Sequence, residues 1–271
     1  MRKLIFLFVI GFVAYQGYLW NCDNCKNSKS AFCYFCPKPA EPLPPTWRGA
    51  VWLDVSGSRT KTCVPYEEIE RNMKTIIALI QEKTIGKQAA VLEFGLIDSY
   101  SDDRPPVRLE LLNIKRPKRG ENMGTTVSRA KQRKAYQEAL VLYQKDSIAR
   151  TNTMSEFQEK LKILIEPYKT KSSHRTDLWG AFNVSETFFQ EQLIAAFNPI
   201  TDNYLFLITD AQHTQKRASY SPMASFPTVY LINCADNASD NRENSLDEEE
   251  VDYERVVSLE NAIKLSFEKS K

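Results

Sequence analysis

The stretch AVWLDVSGS, residues 50–58, joins an apolar segment to a run of polar side chains. Residues 50–53 have the composition of a short buried strand, because they are apolar and include a β-branched residue. Asp54, Ser56 and Ser58 follow at alternate positions. In parallel sheets, functional groups gather at the carboxyl ends of the strands, so this stretch predicts a strand that ends at a functional site. The alternative is a polar turn in which Ser58 or Thr62 caps the next helix.

Strands and helices alternate along the rest of the chain. Residues 66–83 form an amphipathic helix pattern, and residues 89–97 and 107–114 are predicted strands. Further strands are predicted at 204–209 and 227–233, and further helices at 122–168 (in two pieces broken near 151–153), at 178–197, and around Val256, Leu259, Ile263 and Phe267. This order predicts an α/β fold with a doubly wound, mostly parallel sheet and helices on both faces.

Two later segments also place hydroxyl or carboxylate groups at the edge of a predicted element. In HRTDLWGAF, residues 174–182, Thr176 stands just before a helix, and in LFLITDAQ, residues 205–212, Asp210 ends a strand. The two histidines of the chain, His174 and His213, flank these segments. Loop histidines are usually solvated, although a histidine there could sense pH or act as a base.

Together the three segments resemble the metal-ion-dependent adhesion site (MIDAS) of von Willebrand factor type A domains, over roughly residues 47–271. Asp54, Ser56 and Ser58 match the first motif of that family, Thr176 its later threonine, and Asp210 its second aspartate. The resemblance implies a Mg²⁺ or Mn²⁺ ion bound directly by the three hydroxyls, with the two aspartates holding metal-bound waters. Magnesium prefers six oxygen ligands, and one position would remain for an Asp or Glu of a protein partner.

The chain departs from that family in a long insertion, residues 115–173, within a domain spanning residues 48–271. We expect the insertion to form a helical hairpin beside the metal loop and to select the partner; the alternative is a solvated hairpin that only lengthens the domain. Its first part carries eight basic residues against one acidic, which suits an acidic partner. The eight are Lys115, Arg116, Lys118, Arg119, Arg129, Lys131, Arg133 and Lys134.

The first twenty residues predict a membrane segment. Arg2 and Lys3 precede residues 4–20, which carry no charge and reach the lower length limit for a membrane-spanning helix. Because no pair of small residues marks a cleavage site, the pattern favours an uncleaved single-pass anchor over a cleaved signal peptide. The basic start places the N-terminus inside, and hence the domain on the extracytoplasmic side.

Residues 21–47 form a predicted linker rich in cysteine and proline. Cys22, Cys25, Cys33 and Cys36 stand in two pairs, each with zinc-knuckle spacing, but only seven residues separate the pairs. Outside the cytoplasm two disulfide bonds are the default, so we expect disulfides, with Zn²⁺ as the alternative.

These features predict a membrane-anchored protein-binding module, within a larger cell-envelope assembly, that captures an acidic residue through Mg²⁺ and catalyses no reaction. One alternative is a metal-dependent phosphohydrolase of the haloacid dehalogenase type, which needs an aspartate where Ser56 stands. Another is a structural scaffold with an inactive metal site. The net charge of +2 argues against nucleic acid as a partner.

Overall fold

The computed structural model describes residues 45–56, 66–85, 88–118, 126–192, 200–211, 213–214, 219–232 and 245–270. The strands are β1 (Thr46–Asp54), β2 (Ala90–Ile97), β3 (Val107–Leu111), β4 (Thr201–Ile208), β5 (Thr228–Ile232) and β6 (Glu254–Val256). The helices are α1 (Tyr66–Thr84), α2 (Thr126–Ile165), α3 (Leu178–Gln190), α4 (Ser245–Glu248) and α5 (Leu259–Lys269), with a 3₁₀ turn at Glu166–Lys169. All of them belong to one compact unit, Leu43–Lys271.

The six strands form one sheet in the order β3-β2-β1-β4-β5-β6. Only β3 runs antiparallel to its neighbour, while the other pairs are parallel. The predicted α/β fold with a mostly parallel sheet is therefore confirmed. From β1, the strands follow in chain order through β2 to β3 on one side of the sheet. On the other side they follow from β4 through β5 to β6. The switch in strand order lies between β1 and β4, where ligand sites of such sheets form.

Alternate residues of β1 face opposite sides of the sheet, as the two-residue period of a strand requires. Val51 and Leu53 belong to one apolar cluster, whereas Ala50 and Trp52 belong to the other. Helices α1, α2 and α5 cover the first face, through Ile69, Met73, Ile76, Ile77, Ile80, Met154, Phe157, Leu161, Ile165, Leu259 and Ile263. Helix α3 covers the second, through Leu178, Trp179, Phe182, Phe188 and Phe189. The expected helices on both faces are present.

Helix α2 corrects the prediction of a helical hairpin. It is one continuous helix of 40 residues and passes through positions 151–153, where a break was expected. The hydroxyls of Thr151 and Thr153 donate to the carbonyls of Ser147 and Ala149, four residues earlier, at 3.0 and 3.1 Å. Threonine can bond back to its own helix in this way, so these residues do not end it.

The course of α2 is fixed by contacts near its middle and beyond its end. Arg150 donates to the carbonyl of Leu112, just after β3, at 2.6 Å. Tyr168, in the 3₁₀ turn, donates to Asp98, just after β2, at 2.9 Å. Residues 150–165 therefore run from the amino edge of the parallel strands to their carboxyl edge. At 1.5 Å per residue, residues 126–149 extend about 36 Å in the opposite direction, beyond the amino edge.

Smaller differences concern boundaries and termini. Val256 lies in the short edge strand β6 and not in the last helix, and α3 ends at Gln190, before the predicted end at residue 197. The predicted anchor, residues 1–20, and most of the linker lie outside the described residues. Within the part of the chain that the structure describes, no helix is both long and apolar enough to cross a membrane.

Candidate metal site

The side chain of Asp54 ties the ends of β1 and β4 together. This last residue of β1 is completely buried. Its Oδ1 accepts the backbone N–H of Ser56 at 2.7 Å, and its Oδ2 accepts the hydroxyl of Thr209 at 2.7 Å. Because Thr209 directly follows β4, this carboxylate lies at the switch in strand order.

The electrostatics around Asp54 favour a nearby cation. Burial raises the pKa of this carboxyl group, hydrogen bonds from Thr209 and Ser56 oppose that rise, and the negative charge of Asp210 adds to it. Two carboxylates close together in a poorly solvated place repel each other, and a bound cation would offset both the repulsion and the desolvation.

The turn after β4 has an unusual backbone. Ala211 has φ of 59°, in the left-handed region that non-glycine residues rarely adopt. Its N–H donates to the hydroxyl of Thr209 at 3.0 Å, and its carbonyl accepts the N–H of Ser245 at 3.0 Å. Strain of this kind, of order 1–3 kcal/mol, is concentrated at functional sites in proteins. The turn leaves Asp210 partly exposed at the edge.

The loop that carries Thr176 lies along the extension of β1. Ser173 pairs with Ser56 in an isolated parallel bridge, and its N–H donates to the carbonyl of Val55 at 2.8 Å. Thr176 is buried, its N–H donates to the hydroxyl of Thr214 at 2.8 Å, and its carbonyl accepts the N–H of Thr214 at 3.0 Å. The loop is thereby attached to β1 on one side and to the segment after β4 on the other.

Asp177, which follows Thr176, has a structural role. It is the N-cap of α3, where its side chain accepts the N–H groups of Gly180 at 3.0 Å and Ser101 at 3.2 Å. A Cβ added at Gly180 would collide with this carboxylate, so the cap requires glycine there. The N–H of Asp177 also donates to the carbonyl of Asp98 at 2.7 Å. These bonds fix the helix start and hold Thr176 against the sheet.

Four of the five predicted metal ligands lie at this edge: Asp54, Ser56, Thr176 and Asp210. Ser58 falls outside the described residues, as do Cys22, Cys25, Cys33 and Cys36. Across the described residues, no three His, Cys, Asp or Glu side chains come together in a way that could hold a metal ion. The proposed ligand set has only two carboxylates, and its other members are hydroxyls.

The described basic residues of the insertion do not lie beside this site, which corrects their expected position, while their role in binding a partner stays a prediction. Lys115, Arg116 and Lys118 follow β3 at the amino edge, and Lys131, Arg133 and Lys134 lie on the first half of α2. The candidate site is at the carboxyl edge. The side chains of Arg119 and Arg129 are outside the described part of the structure. The described basic residues on α2 lie far from the candidate site because the first half of this helix points away from the Thr176 loop.

Sequence reasoning missed Asp98 and its partner Tyr168 at this edge. Asp98 directly follows buried strand β2, as Asp54 follows β1, and that shared pattern is the signal that could have identified it. Asp98 accepts the hydroxyl of Tyr168. His213 packs against Trp179, with 5.6 Å between ring centroids. Both of its ring nitrogens are buried and have no hydrogen-bond partner among the described residues.

No protein-family model matches the chain, and no curated protein is significantly similar to it.

Proposed function

We propose that the chain is a membrane-anchored domain of the von Willebrand factor A type that binds a protein partner through a divalent metal ion. The ion would be Mg²⁺ or Mn²⁺, and the group it captures would be a carboxylate of the partner. The observation that carries the proposal is the meeting of Asp54, Asp210 and the Thr176 loop at the switch in strand order.

The residues present fit such an ion in their chemistry. The hydroxyls of Ser56, Ser58 and Thr176 would bind it directly, and Asp54 and Asp210 would hold its water ligands. Neutral direct ligands leave most of the charge on the ion, which would then attract a carboxylate from outside. The two aspartates also gain from the ion, because it relieves the cost of keeping Asp54 charged while buried.

The site supports binding better than catalysis. A phosphohydrolase of the haloacid dehalogenase type would need an acid two residues after Asp54, and Ser56 stands there. Ser56 is buried, and its hydroxyl is too weak an acid to replace the carboxyl group of an aspartate. We therefore propose no turnover at this site.

Metal-dependent stability tests the proposal. At a hundredfold excess over its dissociation constant, one bound ion stabilises the folded state by about 2.7 kcal/mol. For a domain of this size that is a rise of roughly 5–10 °C in Tm. We expect this rise when Mg²⁺ replaces EDTA, its loss in Asp210→Ala, and its retention in Asp252→Ala, an exposed control.

The partner is tested by capture from the native membrane. We expect a protein that binds the wild-type chain in Mg²⁺, dissociates in EDTA, and does not bind Asp210→Ala. Capture that is indifferent to EDTA and to the substitution would contradict a role of the metal in binding.

A further inference from the structure

The first half of α2, which we name the basic arm, consists of residues 126–149. None of its described side chains, residues 130–149, is buried. Lys131, Arg133 and Lys134 lie close together near its beginning, and residues 130–137 include no acidic residue. Glu138 lies 4.0 Å from Lys134, but both side chains are well exposed, so this ion pair contributes little.

A second group of cations lies where the arm leaves the domain. Residues Lys115, Arg116 and Lys118 are all exposed. They follow Ile114, which pairs with Ile85 directly after the end of α1. These cations and the arm therefore share the amino side of the sheet.

The chain also enters the domain on this side. Thr46 is the first residue of β1, and its N–H donates to the carbonyl of Ile200 at 2.9 Å, next to the start of β4. Residues 21–45, between the proposed anchor and β1, cannot span more than about 90 Å, even when fully extended. The arm is about 36 Å long, so its tip can reach a surface to which the chain is attached.

The arm carries apolar side chains as well as cations. Val141, Leu142 and Ile148 are 62%, 61% and 63% exposed. A lipid surface accepts both kinds of group, because cations contact anionic headgroups while apolar side chains enter the interface. A nucleic-acid backbone would use the cations only.

We propose that the basic arm and residues 115–118 bind anionic lipid headgroups of the membrane that holds residues 4–20. The candidate metal site lies at the opposite edge of the sheet from these cations. This inference rests on the proposed anchor and is independent of metal binding, so either can fail alone.

Lysine acylation of the full-length chain in lipid nanodiscs tests the inference. We compare discs of phosphatidylcholine with discs that also contain phosphatidylglycerol. Acylation of Lys131 and Lys134 should fall about threefold or more in the anionic discs and recover at high salt, which screens such contacts. Lys171, exposed near the carboxyl edge, is the internal control and should react equally in both.

A matched pair of variants separates charge from helix structure. Replacing Lys131, Arg133 and Lys134 by Gln should remove the protection of Lys145, further along the arm, from acylation in the anionic discs. Replacing Lys160 and Lys162, exposed on the second half of the same helix, should leave that protection intact. The proposal is overturned by equal acylation in both kinds of disc, by a chain that does not enter the discs, or by protection that requires added DNA.

Discussion

At the scale of single residues, Asp54 places a carboxyl group in a fully buried position at the candidate site. Its carboxylate is buried near Asp210, and among the described residues it accepts hydrogen bonds from hydroxyl and N–H groups. Such an arrangement costs stability whenever Asp54 is charged and no cation is bound. The proposed metal ion would offset this cost.

This cost gives a pH-dependent prediction for the metal-free protein. Burial raises the pKa of Asp54 in the folded state, so the unfolded chain releases this proton at lower pH. The stability that the folded state gains by keeping this proton is therefore complete below the ordinary pKa range of carboxyl groups. It is lost as pH rises through the raised pKa of Asp54. In EDTA, Asp54→Asn should be at least as stable as wild type at neutral pH, and its advantage should vanish in acid.

Urea unfolding across pH measures the effect, with Asp252→Asn as the exposed control. In Mg²⁺ the order should reverse, since only the wild-type chain binds the ion and gains stability from it. An Asp54→Asn variant that is less stable than wild type in EDTA at neutral pH would show that Asp54 stabilises the fold without metal.

Arg48 shows what the sequence could not reveal at this scale. The predicted strand covered residues 50–53, yet β1 extends over Thr46–Asp54 with Arg48 buried inside it. Its guanidinium donates to the carbonyls of Phe189 at 3.0 Å and Glu191 at 3.1 Å, at the end of α3. Burial lowers the pKa of Arg48 to about 10. A local pattern cannot foresee acceptors that lie some 140 residues away.

At the scale of elements, α2 has two halves with different environments. The side chains of Met154, Phe157, Leu161 and Ile165 lie in the core, whereas the basic arm is exposed or half-buried. The sequence predicted helix here, over residues 122–168 in two pieces. It could not predict continuity through residues 151–153 or the direction of the helix, because both depend on contacts with β3 and α1.

Two alanine substitutions compare the stability that the two halves of α2 contribute. Phe157→Ala, in the core, should lower the free energy of unfolding by about 3–5 kcal/mol. Leu142→Ala, on the arm, should change it by no more than about 0.5 kcal/mol, because Leu142 is already largely exposed. Urea unfolding measures both. Equal costs would mean that the arm is packed in solution as tightly as the second half.

At the scale of the whole molecule, the two edges of the sheet differ in what they carry. The carboxyl edge holds the proposed metal ligands that the structure describes, and the amino edge holds the chain entry and the exposed cations at residues 115–118. The alternation of strands and helices was enough to predict the sheet and the nearness of Asp54 and Asp210, because parallel strands end together. The place of Thr176 beside them was implied by the family resemblance. It was not enough to locate the insertion, whose position depends on packing between distant elements.

Metal binding at the switch in strand order is measured by titrating Mn²⁺ with the protein and following the electron paramagnetic resonance signal of the free ion. We predict one bound ion per wild-type chain, displaced by excess Mg²⁺. Asp210→Ala should lose that ion, and the exposed control Asp252→Ala should retain it. A wild-type chain that leaves all the Mn²⁺ free at millimolar concentration, or an Asp210→Ala chain that binds as well as wild type, would contradict a metal site at the switch in strand order.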